Sequence, residues 1–358
     1  MNFSFDPDIL NTIAGGRSAL DMRRLQIFNL ESAQSFIKTY GFDLDDPNHL
    51  ETLWQQHRRA LVLMTEKLGF TESEIPLEIR DRKTLQDLRL LLLYASRTGS
   101  DPLQKWACAV LRCMHVFIHA ENDLFSFFSN EIQEQILSSY EPYISTEGQS
   151  VFLTGKVYSA NRIELENFQP KAFKTTSSAV LKLLARPDAL AMRVFDKIGI
   201  RFVTKSVLDS FRVIRFLVQE NMVSFPHIMP DQSSNNVYPV ELFLQVCEKI
   251  KNLNIKDDAS IQNLFKEELA KTGDTALFRK LNEHSDLNFK FIKFISRQLI
   301  RIKPDPASEK FHFFYPYEVQ IMDQESFLAT SRGPLEHNAY KNRQRDSARA
   351  RLMPDENP

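Results

Sequence analysis

Two acidic residues stand where a β-sheet could present them together. Asp196 comes just ahead of the apolar run at residues 198–203, and Glu318 lies within the alternating stretch at residues 317–321. β-Branched and aromatic side chains dominate both stretches, which predicts two strands. Carboxylates on adjacent strands that face one cleft can hold a divalent ion for phosphoryl chemistry. The competing interpretation is a capping aspartate and a glutamate that faces solvent.

The elements that would position these acids divide the chain into two parts. Residues 1 to about 145 have apolar side chains at helical spacing and no long alternating stretch, which predicts a helical domain. A polar link follows at residues 145–149, and the later order of strands and helices is typical of an α/β or α+β domain. We therefore expect an α+β protein, with a helical domain at 1–147 and a mixed-sheet domain at 148–358. Residues from about 241 to 305 are predicted to be a helical insertion.

A pair of histidines is the other feature with possible chemistry. His115 and His119 are one helical turn apart, and Glu121 and Asp123 follow them. A metal site would need a further ligand from elsewhere in the fold. The favoured interpretation is therefore two half-buried histidines on an amphipathic helix.

Composition restricts where the protein works and what it binds. The net charge is -1 over 358 residues, so any surface that binds anions must be local. The chain has no glycine-rich phosphate loop or dinucleotide fingerprint. Its three cysteines lack metal-ligand spacing, and we find no basic leader and no long apolar run. These observations predict a cytoplasmic protein that does not bind membranes.

The C-terminal residues form a basic segment. Its stripe at four-residue spacing consists of His337, Lys341, Arg345 and Arg349. On a helix these side chains share one face. Arg349 and Arg351 are near the terminus, so we expect them to be solvated, or else to extend a cationic track for a polyanion such as RNA. A chain cut after residue 344 is expected to keep its fold.

Four ordered segments carry recognisable patterns. Lys174-Thr175 is followed by Ser178 and Lys182, and residues 196–201 read Asp-Lys-Ile-Gly-Ile-Arg. Residues 318–321 read Glu-Val-Gln-Ile. The last segment combines Leu-Glu-His at residues 335–337 with Tyr-Lys at residues 340–341.

In this order the segments resemble the synthetase domain of the RelA/SpoT family of alarmone synthetases, over about residues 165–345. That family transfers pyrophosphate from ATP to the 3′-hydroxyl of GDP or GTP. The resemblance implies a nucleotidyltransferase-like mixed sheet, with Mg²⁺ held by Asp196 and Glu318 and with both as catalytic residues. It also implies that Glu318 serves as the base for the attacking hydroxyl. The implied nucleotide-binding residues are Lys174, Ser178, Lys182, Arg201, Asn235, Tyr238, Gln320, His337 and Lys341.

The chain departs from the family pattern at several positions. An arginine of the basic motif is replaced by Ala172, with Lys171 one place away, and an arginine and a threonine are replaced by Met322 and Asp323. The predicted function is Mg²⁺-dependent pyrophosphate transfer from ATP to a nucleotide, with a guanine nucleotide or RNA as acceptor. The alternative is a catalytically inactive regulatory protein of the same fold that binds nucleotide or RNA. A third interpretation is a helical scaffold that binds no ligand.

Overall fold

The computed structural model describes residues 6–15, 18–98, 101–121, 127–156, 162–171, 176–186, 197–272, 290–303, 311–329 and 337–354. The chain forms two compact units, each with its own apolar core. Unit 1 comprises Met1–Leu124, Thr175–Val194 and Lys341–Pro358, and unit 2 comprises Phe125–Lys174 and Phe195–Tyr340. Helices and one seven-stranded sheet make the fold a mixed α/β fold.

The helices and strands follow one another along the chain with short connections in most places. The helices are α1 (Pro7–Ile13), α2 (Leu30–Tyr40), α3 (Pro47–Val62), α4 (Leu77–Arg80), α5 (Arg82–Leu85), α6 (Arg89–Ala95), α7 (Pro102–Glu121), α8 (Ser129–Ser138), α9 (Thr176–Ala185), α10 (Val207–Gln219), α11 (Val240–Asn252), α12 (Asp258–Thr272), α13 (Gln324–Ala329) and α14 (His337–Leu352). The strands are β1 (Ile144–Glu147), β2 (Ser150–Thr154), β3 (Arg162–Lys171), β4 (Gly199–Thr204), β5 (Ser234–Asn235), β6 (Ile292–Ile302) and β7 (Phe311–Asp323).

Unit 1 is built around α7. Its apolar residues recur at helical spacing, and Val110, Cys113 and Phe117 are fully or almost fully buried. They pack against α3, α4, α6 and α9. Described residues 6–138 contain helices and no strand, as their apolar periodicity predicts.

The C-terminal arginines bond to other residues of unit 1, so the expectation that they are only solvated is wrong, although the Arg349 side chain is still 37% exposed. Arg351 pairs with Asp21 at 2.6 Å (Nε to Oδ1) and donates to the carbonyl oxygen of Leu184 at 3.1 Å. Arg349 donates to the carbonyl oxygen of Gly69 at 2.7 Å. Leu352 is buried in the core of the unit. A helix end with these contacts is held in place, because both the charges and the apolar side chains have partners inside the unit.

Unit 2 is built on the sheet, with strand order β1-β2-β3-β4-β7-β6-β5. β4 and β7 run parallel, and the other neighbouring strands are antiparallel. Ile200, Val319 and Ile321 face the core of the unit, where they meet α10 residues such as Phe216. Since side chains alternate across a strand, the intervening residues of β4 and β7 lie on the opposite face.

β6 corrects the predicted helical insertion, which extended to about residue 305. α11 and α12 are helical, but Ile292–Ile302 is a strand that pairs with β7 along its whole length. Lys293, Arg297 and Arg301 recur every four residues, a spacing that one helix face and one strand face both allow. The β-branched residues between them favour the strand, and pairing with β7 decides the outcome.

Among the described helices, none combines the length and the apolar composition that crossing a bilayer requires.

Candidate functional site

Polar side chains from four adjacent strands meet on the sheet face opposite the core of unit 2. We call them the polar cluster. Its members are Gln169 and Lys171 of β3, Arg201 of β4, Lys293 of β6, and Glu318 and Gln320 of β7.

Strand register brings the cluster together in two neighbouring rows. In the first row Lys171 is opposite Gly199, which is opposite Glu318. In the second row Gln169 is opposite Arg201, which is opposite Gln320, and Lys293 completes the row. The rows are two residues apart on every strand, so their side chains share one face.

Glu318 is the carboxylate of the cluster and is only 9% exposed. Its Oε1 is 3.4 Å from Lys171 Nζ, and its Oε2 is 3.9 Å from Lys293 Nζ. Its backbone N–H donates to the carbonyl oxygen of Ile198 at 2.9 Å. Among the described members of the cluster, Lys171, Lys293 and Arg201 carry three positive charges against the one negative charge of Glu318, an excess of two. The site therefore favours an anionic ligand.

Gln320 fixes the direction of two of these cations. Its Oε1 accepts from Arg201 Nε at 2.9 Å and from Lys171 Nζ at 3.0 Å. Burial lowers the pKa of Arg201, and the nearby Glu318 carboxylate opposes that shift. The guanidinium and ammonium groups are thus positioned before any ligand arrives, which reduces the entropy lost on binding.

The Lys171 side chain passes over Gly199 of β4 to reach Glu318. A Cβ atom at this position would lie 3.3 Å from Lys171 Cδ and 3.6 Å from the carbonyl oxygen of Glu318. The first distance is tighter than an ordinary van der Waals contact, so a Cβ here would require the Lys171 side chain to shift by a few tenths of an ångström. The glycine of the Asp-x-x-Gly pattern therefore has a packing reason in this fold.

Six other predicted site residues fall in three groups. Asp196 and Lys174 lie outside the described residues, so the proximity of Asp196 to Glu318 stays a prediction. Ser178 and Lys182 are on α9 of unit 1, the first exposed and the second half-buried. Lys341 is an exposed residue of unit 1. His337 opens α14 and belongs to unit 2, and its side chain is outside the described part.

Asn235 and Tyr238 shape the chain ahead of α11. Asn235 Oδ1 accepts from the backbone N–H of Val237 at 3.1 Å, and its Nδ2 donates to the carbonyl oxygen of Tyr238 at 2.8 Å. Tyr238 is 1% exposed, and its hydroxyl donates to the carbonyl oxygen of Phe265 at 2.9 Å. The nucleotide-binding role implied for Tyr238 would need the ring to leave this position.

Sequence reasoning assigned no role to Gln169 and Lys293, and it treated Lys171 only as a displaced motif residue. Gln169 and Lys171 alternate at the end of β3, which was the available signal for a shared face. The position of Lys293 on this sheet face was not predictable once residues to about 305 were interpreted as helical.

The histidine pair of α7 matches the expectation of half-buried side chains at His115 but not at His119, which is exposed. His115 Nδ1 is 2.6 Å from Tyr40 Oη, and the two histidine rings are 4.3 Å apart. Burial lowers the pKa of His115 to about 4, with a smaller contribution from His119. No group of three or more potential metal ligands occurs within the described ranges.

The chain shows no significant match to models of known protein families or to curated proteins. The chemistry of the polar cluster must therefore be argued from its own residues. Lysine and arginine side chains bind phosphate oxygens through charge-assisted hydrogen bonds. A buried carboxylate beside them can ligate a hard cation or accept a proton. Because Mg²⁺ is commonly held by one or two carboxylates together with substrate phosphates, Glu318 fits one such position.

Proposed function

We propose that the polar cluster binds the phosphates of ATP and that the protein transfers pyrophosphate to the 3′-hydroxyl of a second nucleotide. The observation that carries the proposal is the position of Glu318, on a strand parallel to β4 and between Lys171 and Lys293. This arrangement combines an anion-binding surface with one carboxylate. Such a combination suits phosphoryl chemistry, where catalysis depends on positioning and on charge stabilisation.

Each member of the cluster has a role in this proposal. The phosphate oxygens are bound by Lys171, Lys293 and Arg201. In the complex the two lysine ammonium groups pair with phosphate instead of with Glu318. Gln320 keeps Arg201 directed at the ligand. Mg²⁺, when bound, would neutralise phosphate charge, with Glu318 as one ligand and Asp196 as the predicted second.

The reaction is a substitution at the β-phosphorus of ATP. The acceptor 3′-oxygen forms a bond to this phosphorus, the bond to the oxygen that bridges the α- and β-phosphates breaks, and AMP leaves. Glu318 accepts the proton of the attacking hydroxyl. A guanine nucleotide or an RNA 3′-end would serve as acceptor.

A second candidate is a regulatory protein that binds the nucleotide without reacting it. Two residues favour it, at positions where the resembled family has arginine and threonine. Met322 is fully buried, and Asp323 Oδ1 accepts from the backbone N–H of Ser326 at 2.7 Å, at the start of α13. Neither residue adds a cation for phosphate binding.

The test uses the full chain, Mg²⁺ and ATP labelled at the γ-phosphate, with GDP, GTP or tRNA as acceptor. We expect a labelled acceptor and one AMP per transfer, both lost with Glu318→Gln or with a chelator. Glu325→Gln, on an exposed residue of α13, is the matched control and should keep activity. If no transfer occurs but calorimetry detects ATP binding that Lys293→Ala weakens, the second candidate holds. Absence of ATP binding overturns both.

A further inference from the structure

Unit 1 contains a cavity of about 540 Å³. Side chains of α1, α2, α6 and α7, together with residues 19–27, line it, and most of them are apolar. Sites for small molecules are typically about 300–1,000 Å³, with apolar walls and a few polar groups. The cavity is therefore large enough for a ligand, and its walls select an apolar one.

α1 covers this cavity without joining the core. None of its residues is buried, and Ile13 is 79% exposed. Ile9 and Ile13 nevertheless line the cavity. Polar contacts tie the helix to the unit, since Gln26 donates to Asp6 and the backbone N–H of Arg23 donates to Asp8 at 3.3 Å. An apolar ligand beneath α1 would supply the buried surface that this helix lacks.

Polar groups at the cavity show what the other end of the ligand would be. Thr12 Oγ1 is buried and has no hydrogen-bond partner among the described residues, an arrangement that costs free energy unless a ligand completes it. Arg24 lines the cavity and is exposed to solvent, so the cavity has a cationic residue that solvent can reach. Asp6, at the same cavity, is already engaged by Gln26. A ligand carboxylate would pair with Arg24.

We propose that unit 1 binds a long-chain fatty acid, with the hydrocarbon chain inside the cavity and the carboxylate at Arg24. The ligand extends under α1 and contacts Ile9 and Ile13. The Tyr40–His115 pair forms part of the wall. This site is independent of the polar cluster and of the proposed transfer reaction.

The experiment is a titration of the delipidated full chain with cis-parinaric acid, a polyene fatty acid that fluoresces in apolar surroundings. We expect saturable binding in the micromolar range that unlabelled palmitic acid displaces. Leu111→Trp, at a half-buried lining position, fills the cavity and should weaken binding at least about tenfold. Leu77→Trp, on an exposed residue outside the lining, is the matched control and should bind as the unmodified chain does.

Two further comparisons keep the proposal open to refutation. Arg24→Gln should weaken binding of the acid about tenfold and leave binding of the corresponding long-chain alcohol unchanged. Equal loss or no loss for both ligands overturns the carboxylate assignment. If circular dichroism shows that Leu111→Trp does not fold, Leu92→Phe replaces it as a smaller filling of the same cavity. Absence of a fluorescence rise, or undiminished binding in a folded filling variant, overturns the site.

Discussion

Gly199 and Glu318 lie opposite each other on the parallel strands β4 and β7, and Lys171 crosses the glycine to reach the carboxylate. We predict that Gly199→Val displaces Lys171 and weakens ATP binding about tenfold, roughly the loss of one charge-assisted contact. Valine suits a strand, so the urea midpoint should change little. Lys171→Met should cause the same loss, and the double variant should lose no more than either single one. Additive losses in calorimetry would show that the two residues act separately.

Lys293 and Lys303 are lysines on and just after β6. Lys293 is beside Glu318, whereas Lys303 is an exposed residue that follows the strand. If the polar cluster binds phosphates, Lys293→Ala weakens ATP binding about tenfold, and Lys303→Ala changes it less than about twofold. Isothermal calorimetry at fixed ionic strength makes the comparison. Similar effects of the two substitutions would mean that only general positive charge matters.

Tyr140 and Tyr317 share a hydrogen bond in the core of unit 2, with their hydroxyl oxygens 2.9 Å apart. The Tyr317 hydroxyl has a second hydrogen-bond partner, Ser296. Within the described structure, the partner of the Tyr140 hydroxyl is Tyr317. Tyr317→Phe leaves that hydroxyl buried without a partner, so it should lower the free energy of unfolding by about 1–3 kcal/mol. Tyr140→Phe should cost less. Urea unfolding followed by circular dichroism gives the order, and the reverse order would contradict this account.

Arg351 and Arg345 are arginines of α14 with different surroundings. Arg351 pairs with Asp21 inside unit 1, while Arg345 pairs with its exposed neighbour Asp346. Arg351→Gln should lower the free energy of unfolding by about 1–3 kcal/mol because it leaves the half-buried Asp21 carboxylate without its charged partner. Arg345→Gln should change it by less than about 1 kcal/mol. Both tryptophans of the chain are buried in unit 1, so their fluorescence reports its unfolding.

Acid should destabilise unit 1 through two histidines. Burial lowers the pKa of His57, and burial also lowers the pKa of His115 to about 4. An unfolded histidine takes up a proton near pH 6.5, so between that pH and about 4 the unfolded chain binds more protons. The contribution of these two histidines to the free energy of unfolding is therefore fully present above pH 6.5. It decreases as the pH falls, by about 1–3 kcal/mol at pH 5.

The urea midpoint of tryptophan fluorescence at pH 7.5 and pH 5.0 measures this effect. His115→Asn should reduce the difference between the two midpoints. His312→Asn, on an exposed residue of β7, should leave the difference unchanged. A midpoint that rises on acidification would contradict the sign of the effect.

The sequence was most informative where periodicity is local. The apolar spacing of α7 and the alternation of β7 follow from neighbouring residues, so both elements were predictable. β6 was not, because a four-residue charge spacing suits a helix and a strand equally, and only pairing with β7 distinguishes them. Pairing is a long-range property that a single sequence does not display.

The candidate site was predictable in part for the same reason. Arg201, Glu318 and Gln320 stand in a motif, and strand register brings them to one face. Lys171 and Lys293 join them from β3 and β6, whose register depends on the whole sheet. The roles of Arg349 and Arg351 were missed because their partners are hundreds of residues away in sequence.

The order in which the chain supplies its parts affects how unit 1 is made. Its residues come from three separate stretches, and the last of them includes Leu352 and Arg351. During synthesis the helices α1 to α7 emerge first, α9 follows β1, β2 and β3, and the residues of α14 that belong to unit 1 arrive only after the whole sheet of unit 2 has been translated. The apolar surface that these late residues cover therefore stays exposed for most of translation. During that time aggregation competes with folding. Production of the protein should thus depend on chaperones more than its final stability suggests.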